Sequence, residues 1–116
     1  MGDWGFKPWE NDVAADWYGV LFEKTHLAVH VEEALNRDPE REPDVIRAAA
    51  FLLVRLGYVY IWPVHEMDRH LKLAIQKLEV IRELENFQEI EGCVTEIDNE
   101  ISTLRSRLQP PGSSYF

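Results

Sequence analysis

Residues 1–22, MGDWGFKPWENDVAADWYGVLF, decide how the rest of the chain is read. They hold three of its four tryptophans, Trp4, Trp9 and Trp17. A folded chain rarely leaves several indoles in water, because each covers a large apolar area and its N–H looks for an acceptor. Gly2, Gly5 and Pro8 argue against a helix before Trp9. The segment therefore reads as an irregular strap that lays Trp4, Phe6 and Trp9 into a core built by later residues. A helix comes next. Asn11 or Asp12 can cap its free amides, Trp9 stands outside the cap as a hydrophobic staple, and Asp12 suits the positive end of the helix dipole. Val13, Trp17, Val20 and Leu21 share one face at helical spacing, so that face is expected inward.

Working outward, residues 25–36 form a helix, continuous with the first or set off by a bend, with Leu27, Val31, Ala34 and Leu35 on one stripe. His26 and His30 are one turn apart, with Glu33 beyond. Such a set can hold a transition metal. No Cys or further His stands nearby in sequence, so a surface or half-buried histidine pair is the plainer reading. Residues 36–44, NRDPEREPD, are a polar loop with Pro39 and Pro43, and Asp44 can cap the next helix.

Residues 45–56 are apolar almost all round, the mark of a central helix, with Arg47 and Arg55 on its one wet edge. A membrane span over residues 45–64 is disfavoured: a central Arg costs about 2.5–3.5 kcal/mol on insertion scales, and Pro63 breaks the end. Residues 57–64, GYVYIWPV, favour strand, yet no second strand candidate exists to pair with them. They are read as the end of the central helix or an extended crossover. Tyr58, Tyr60 and Trp62 are expected to meet Trp4, Trp9 and Trp17, and any ring left exposed marks a partner surface.

Residues 70–84 are helical, with Leu71, Ala74, Ile75, Leu78 and Ile81 in period. His65, Glu66 and His70 do not make a metalloprotease motif, because the histidines are five residues apart rather than four. Phe87, Ile90, Val94, Ile97, Ile101, Leu104 and Leu108 step by three and four, as three unbroken heptads, with Gly92 inside them either as a break or as a tolerated glycine. So narrow a stripe packs within the bundle or across a homodimer axis. Glu89, Glu91, Glu96 and Glu100 crowd beside it and would repel one another in a parallel pair, which favours the chain's own core. The expectation is an all-α, single-domain bundle of about five helices over residues 1–108, with the strap packed on it and a flexible tail over 109–116.

At 116 residues the chain makes one domain with a core of its own. The lone Cys93 cannot form an internal disulfide, and no basic region followed by an apolar run opens the sequence. Together these suggest a reducing, cytoplasmic setting without a signal peptide. The net charge is −9. Seven acids and no base lie on the stretch from Glu83 to Glu100. Nucleic acid is disfavoured as a partner, since affinity for phosphate rests on Lys and Arg. A basic protein is not, and Glu89, Glu91, Glu96, Asp98 and Glu100 form a candidate partner face, set against the simpler reading of a solvated surface.

The opening residues Gly2, Trp4, Gly5, Pro8, Trp9, Asn11, Asp12, Ala14, Asp16 and Trp17 resemble the start of the DUF4259 family. Its small, mostly bacterial members begin close to M-G-x-W-G-x-x-P-[FW]-x-N-D-x-A-x-D-W. The alanines Ala48, Ala49 and Ala50 and the pair Arg107 and Leu108 look similar to that family too. The resemblance implies a helical domain and brings no activity with it.

No glycine-rich phosphate loop, no nucleophile–base pairing and no metal-ligand set emerges, so an enzyme is the least favoured reading and no cofactor is expected. A protein–protein interaction module, immunity-like or antitoxin-like, leads. The alternative is a small-molecule or metal-binding domain with its pocket at Trp9, Asn11, Asp12, Asp16, Tyr58, Tyr60 and Trp62. Asp12 and Asp16, one turn apart, are too few on their own for a dedicated cation site.

Overall fold

The computed structural model describes residues 5–109, and every regular element among them is a helix. They are α1 (Asp12–Thr25), α2 (Leu27–Leu35), α3 (Pro43–Leu56), α4 (Val64–Ile81), the single turn α5 (Glu85–Gln88) and α6 (Cys93–Ser106). The all-α expectation holds. Trp4 and the tail beyond Gln109 lie outside the described residues.

Helices α2, α3, α4 and α6 pack together around one core, and α1 leans on α2. The buried stripe of α4 runs Met67, His70, Leu71, Ala74, Ile75, Leu78 and Ile81, at steps of three and one. It meets Ile97, Ile101 and Leu104 of α6, Ile46 and Leu53 of α3, and Val31 and Leu35 of α2 in one cluster. α3 is less central than its composition suggests. Ala48 and Phe51 face solvent, and Arg47, expected on the wet edge, is half-buried.

The ends of the helices obey local chemistry. Asn11 caps α1, its Oδ1 accepting the Ala14 N–H at 2.8 Å. The chain bends between α1 and α2 at His26, which takes the left-handed conformation with φ 53° and ψ 32°. Pro43 opens α3, where its missing N–H costs nothing, and this places Asp44 in the first turn rather than at the cap. Residues 57–63 are a tight turn, neither helix end nor extended crossover. The Tyr58 carbonyl accepts from both the Ile61 and the Trp62 N–H at 3.0 Å, and Tyr60 has φ 74°. α4 begins at Val64, earlier than its apolar period indicates, directly after Pro63.

Of the two readings of Gly92 the structure has the break: with φ 85° it turns the chain between α5 and α6, so the heptad stripe is not one continuous helix, and Ile90 is exposed beside it. α1 is also rotated relative to the sequence reading. Phe22 is buried and Tyr18 half-buried, while Val13, Trp17 and Val20 point outward, with Trp17 61% exposed. The reason is that α1 carries two apolar stripes, and the inward one delivers Phe22 edge-on to the buried Trp62 at 5.1 Å. Phe6, expected in the core, is fully exposed, whereas Trp9 is half-buried and stacks on Tyr58 at 4.8 Å.

Arg107 fastens the end of α6 to the end of α3. Its Nη1 donates to the carbonyls of Leu53 and Gly57 at 3.1 and 3.2 Å. Its Nη2 donates to the Val54 carbonyl and the Tyr58 hydroxyl at 2.8 and 2.9 Å. The guanidinium also lies 3.8 Å from the centre of the Tyr58 ring. Last-turn carbonyls have no partner within their own helix, so a forked donor here serves as a cap from a distant element. Arg107→Ala is expected to lower stability by about 1–2 kcal/mol in urea unfolding, with Arg107→Lys recovering little because an ammonium cannot reproduce the fork. Wild-type stability in Arg107→Ala would mean that water serves those carbonyls equally well.

Candidate functional site: a cleft over a locked histidine

A cleft of about 640 Å³ lies between α1, α2, the turn at residues 60–63 and the first turns of α4. Phe22, Ala28, Val29, Ile61, Trp62 and Val64 give it apolar walls, and Glu32, Glu66, Arg69 and His70 form a polar floor. His70 is the one buried polar residue of the described core, at 1% exposure. It occupies the inward stripe of α4, so its ring must find partners there.

Both ring nitrogens do. The Trp62 indole N–H donates to Nδ1 at 3.0 Å. An indole nitrogen can only donate, so Nδ1 must carry a lone pair. The ring proton then sits on Nε2, which lies 2.7 Å from Glu32 Oε1 and donates to it. Burial holds the His70 pKa below the ordinary imidazole range; the Arg69 charge adds to this and Glu32 opposes it. The histidine is thus a neutral tautomer fixed from both sides. Neither nitrogen is left over to take a proton from a substrate, which argues against a general base here.

Glu32 also receives Arg69 at 2.6 Å, and Arg69 pairs with Glu66 one turn earlier on α4. The Arg69 hydrogen bond, then the one from His70, lowers the Glu32 pKa. Glu32, Glu66 and His70 offer ligand atoms within 4.8 Å of one another, the geometry of a metal trio. The chemistry is unfavourable. A metal needs the Nε2 lone pair, whereas Trp62 forces the proton onto that nitrogen, and the Arg69 guanidinium already bridges the two carboxylates. His26, His30 and Glu33 do not converge as a ligand set: His26 forms the bend at the rim of the cleft, His30 is exposed, and Glu33 lies 3.8 Å from Arg37.

The structure divides the sequence-derived binding set. Asp16, Tyr60 and Trp62 line the cleft. Trp9 and Tyr58 stack together next to Arg107, Asn11 is a helix cap, and Asp12 lies in the first turn of α1. The expected meeting of aromatic clusters is therefore two separate contacts, Trp9 on Tyr58 and Phe22 on Trp62, with Trp17 in neither and instead edge-on to Tyr18.

The acidic face is also less bare than its sequence. Asp98 is held by Arg82 at 2.5 and 3.0 Å, and that guanidinium keeps its carboxyl below the usual range. Glu100 turns inward to Arg47 at 3.6 Å, with only 11% of its side chain exposed. Burial, reinforced by Glu96, pushes its pKa up to about 7 against the pull of Arg47. Glu89, Glu91, Glu96 and Asp98 remain exposed, the last of them paired with Arg82.

Sequence reading missed Glu32, Glu66, Arg69 and His70 as a set. One signal was available: His70 interrupts the stripe Met67, Leu71, Ala74, and a polar residue on a buried stripe needs partners. Compared with known proteins, the chain matches no family model, no curated protein and no solved structure. Among the described residues no helix is long and apolar enough to cross a membrane.

Proposed function

We propose that this protein is a small interaction module that docks a basic partner protein on the outer face of α1. The observation that carries the reading is Trp17, exposed between Val13 and Val20 at helical spacing. An exposed indole in an apolar row is the kind of anchor on which interface energy concentrates. Asp12, Asp16, Gly19 and Glu23 form the next row round the helix, so an acidic ridge runs alongside the apolar one. That pairing suits an amphipathic segment bearing Lys or Arg beside its apolar face, and the overall charge of −9 acts in the same direction over longer range. An immunity-like or antitoxin-like protein covering a basic toxin is the concrete form. A reducing cytoplasm suits the free Cys93. The opening motif also leads us to propose kinship with the DUF4259 family, which implies a helical domain and brings no activity.

The test uses the product of an adjacent reading frame as the probe. Wild-type protein is expected to capture it, less well as salt rises, and Trp17→Ser is expected to weaken binding by about tenfold. Paired changes at Glu89 and Glu91 to Lys leave binding intact, because those acids lie away from α1. Equal binding by Trp17→Ser, or no capture by the wild type, overturns the reading.

A further inference from the structure

We infer that the cleft above His70 is a binding site for a small organic cation, an amidinium, guanidinium or primary amine on an apolar body, with Glu32 and Glu66 as its counter-charges. The cavity comes first. At about 640 Å³ it has the size of a small-molecule pocket, and its lining combines apolar walls with a few convergent polar groups.

The sign of the ligand comes from the lining charges. Asp16, Glu23, Glu32 and Glu66 face the space with Arg69 as the one guanidinium among the described lining residues. Trp62 holds His70 in a tautomer that adds no positive charge. The net field in the cleft is negative, and apolar walls focus it. A metal ion is the less suitable cation, because the Nε2 proton denies it the imidazole ligand. An organic cation needs only the carboxylates.

Arg69 already demonstrates that fit. Its guanidinium bridges Glu32 and Glu66, yet its side chain is more than half exposed. Ion pairs at this level of exposure contribute only about 0–1 kcal/mol, so an incoming cation can displace Arg69 into solvent at small cost. Arg69 is the internal stand-in for the ligand, and the ligand gains over it by burying its body against Phe22, Val29 and Ile61. The rim agrees with a built site: His26 and Tyr60, the two non-glycine residues with positive φ among those described, both border this cleft.

The experiment titrates the full chain with benzamidine and with benzamide, its neutral near-isostere, following the Trp62 indole N–H by NMR. Benzamidine is expected to bind with a Kd of about 1 mM or tighter and to exceed benzamide by about tenfold. Glu66→Gln weakens benzamidine about tenfold, and Arg69→Ala tightens it severalfold, a gain that loss of a merely structural ion pair would not produce. Trp17→Ser leaves benzamidine binding unchanged, because Trp17, the anchor of the docking face, does not line the cleft even though Asp16 and Glu23 border both. Equal affinity for benzamide, weaker benzamidine binding in a folded Arg69→Ala protein, or no binding at about 10 mM benzamidine overturns the inference.

Discussion

Trp62→Phe is expected to destabilise the protein by about 3 kcal/mol and to lower its melting temperature by on the order of 10 °C. Two losses combine. Phenylalanine is smaller, so it leaves space beside Phe22 in a core where Trp62 is 1% exposed. It also removes the donor that reaches His70 Nδ1, leaving a buried acceptor without its hydrogen bond. The second loss has a signature of its own. In the wild type the His70 pKa is depressed by burial, so the stability this residue contributes is fully present above the unfolded value of 6.5 and is lost as pH falls through the folded value. Without the indole donor, Nδ1 is free to take a proton, and Glu32 stands ready to pair with the imidazolium. The His70 pKa rises, and acid then costs the variant less than it costs the wild type. The stability gap is therefore widest near pH 8 and narrows towards pH 5. A nitrogen-15 NMR spectrum of wild-type His70 showing protons on both ring nitrogens at pH 7 would refute the tautomer lock; equal stability of Trp62→Phe at pH 8 would do the same.

The histidine illustrates where sequence patterning stops. Its stripe-mates Leu71, Ala74, Ile75 and Leu78 were legible from their period alone, because a helix that buries one face must repeat near 3.6 residues. The partners of His70 were not. Glu32 lies 38 residues away on α2, and Trp62 sits in a turn whose form depends on Tyr60 adopting a positive φ. Only packing brings them together. His65, five residues before His70, is exposed while His70 is buried, as the five-residue step between them implies.

α1 shows a different limit. Val13, Trp17, Val20 and Tyr18, Phe22 are both acceptable apolar stripes, and periodicity cannot rank them. The choice was made by what each face would meet, and Phe22 meets Trp62. By contrast, the break at Gly92 was one of two options already visible in the sequence. A glycine inside an a/d run signals a position where a left-handed backbone is cheap, and the φ of 85° uses that freedom.

Glu100→Gln is expected to stabilise the protein at pH 8 by about 2–3 kcal/mol while leaving it close to wild type near pH 5. The carboxyl is nearly buried against α3, Glu96 stands beside it, and Arg47 at 3.6 Å offsets only part of the cost, so its pKa rises to about 7. A group whose folded value is raised holds its proton more tightly when folded. Its stabilising contribution is complete below the unfolded value of 4.5 and is lost as pH climbs through 7. Glutamine keeps the uncharged form at every pH and so escapes that loss. His70 works in the opposite sense below 6.5, which means the two slopes partly cancel in the wild type between about pH 4.5 and 6.5. The Glu100→Gln protein should therefore lose stability on acidification more steeply than the wild type, because the His70 contribution is no longer masked. Chemical unfolding of both proteins from pH 5 to 8 separates the two groups. If Glu100→Gln were less stable than the wild type at pH 8, the Arg47 pair would outweigh the burial of its carboxylate. The carboxyl would then be ionised throughout that range, and the acidic stretch on α6 would owe its inward member to attraction rather than to a retained proton.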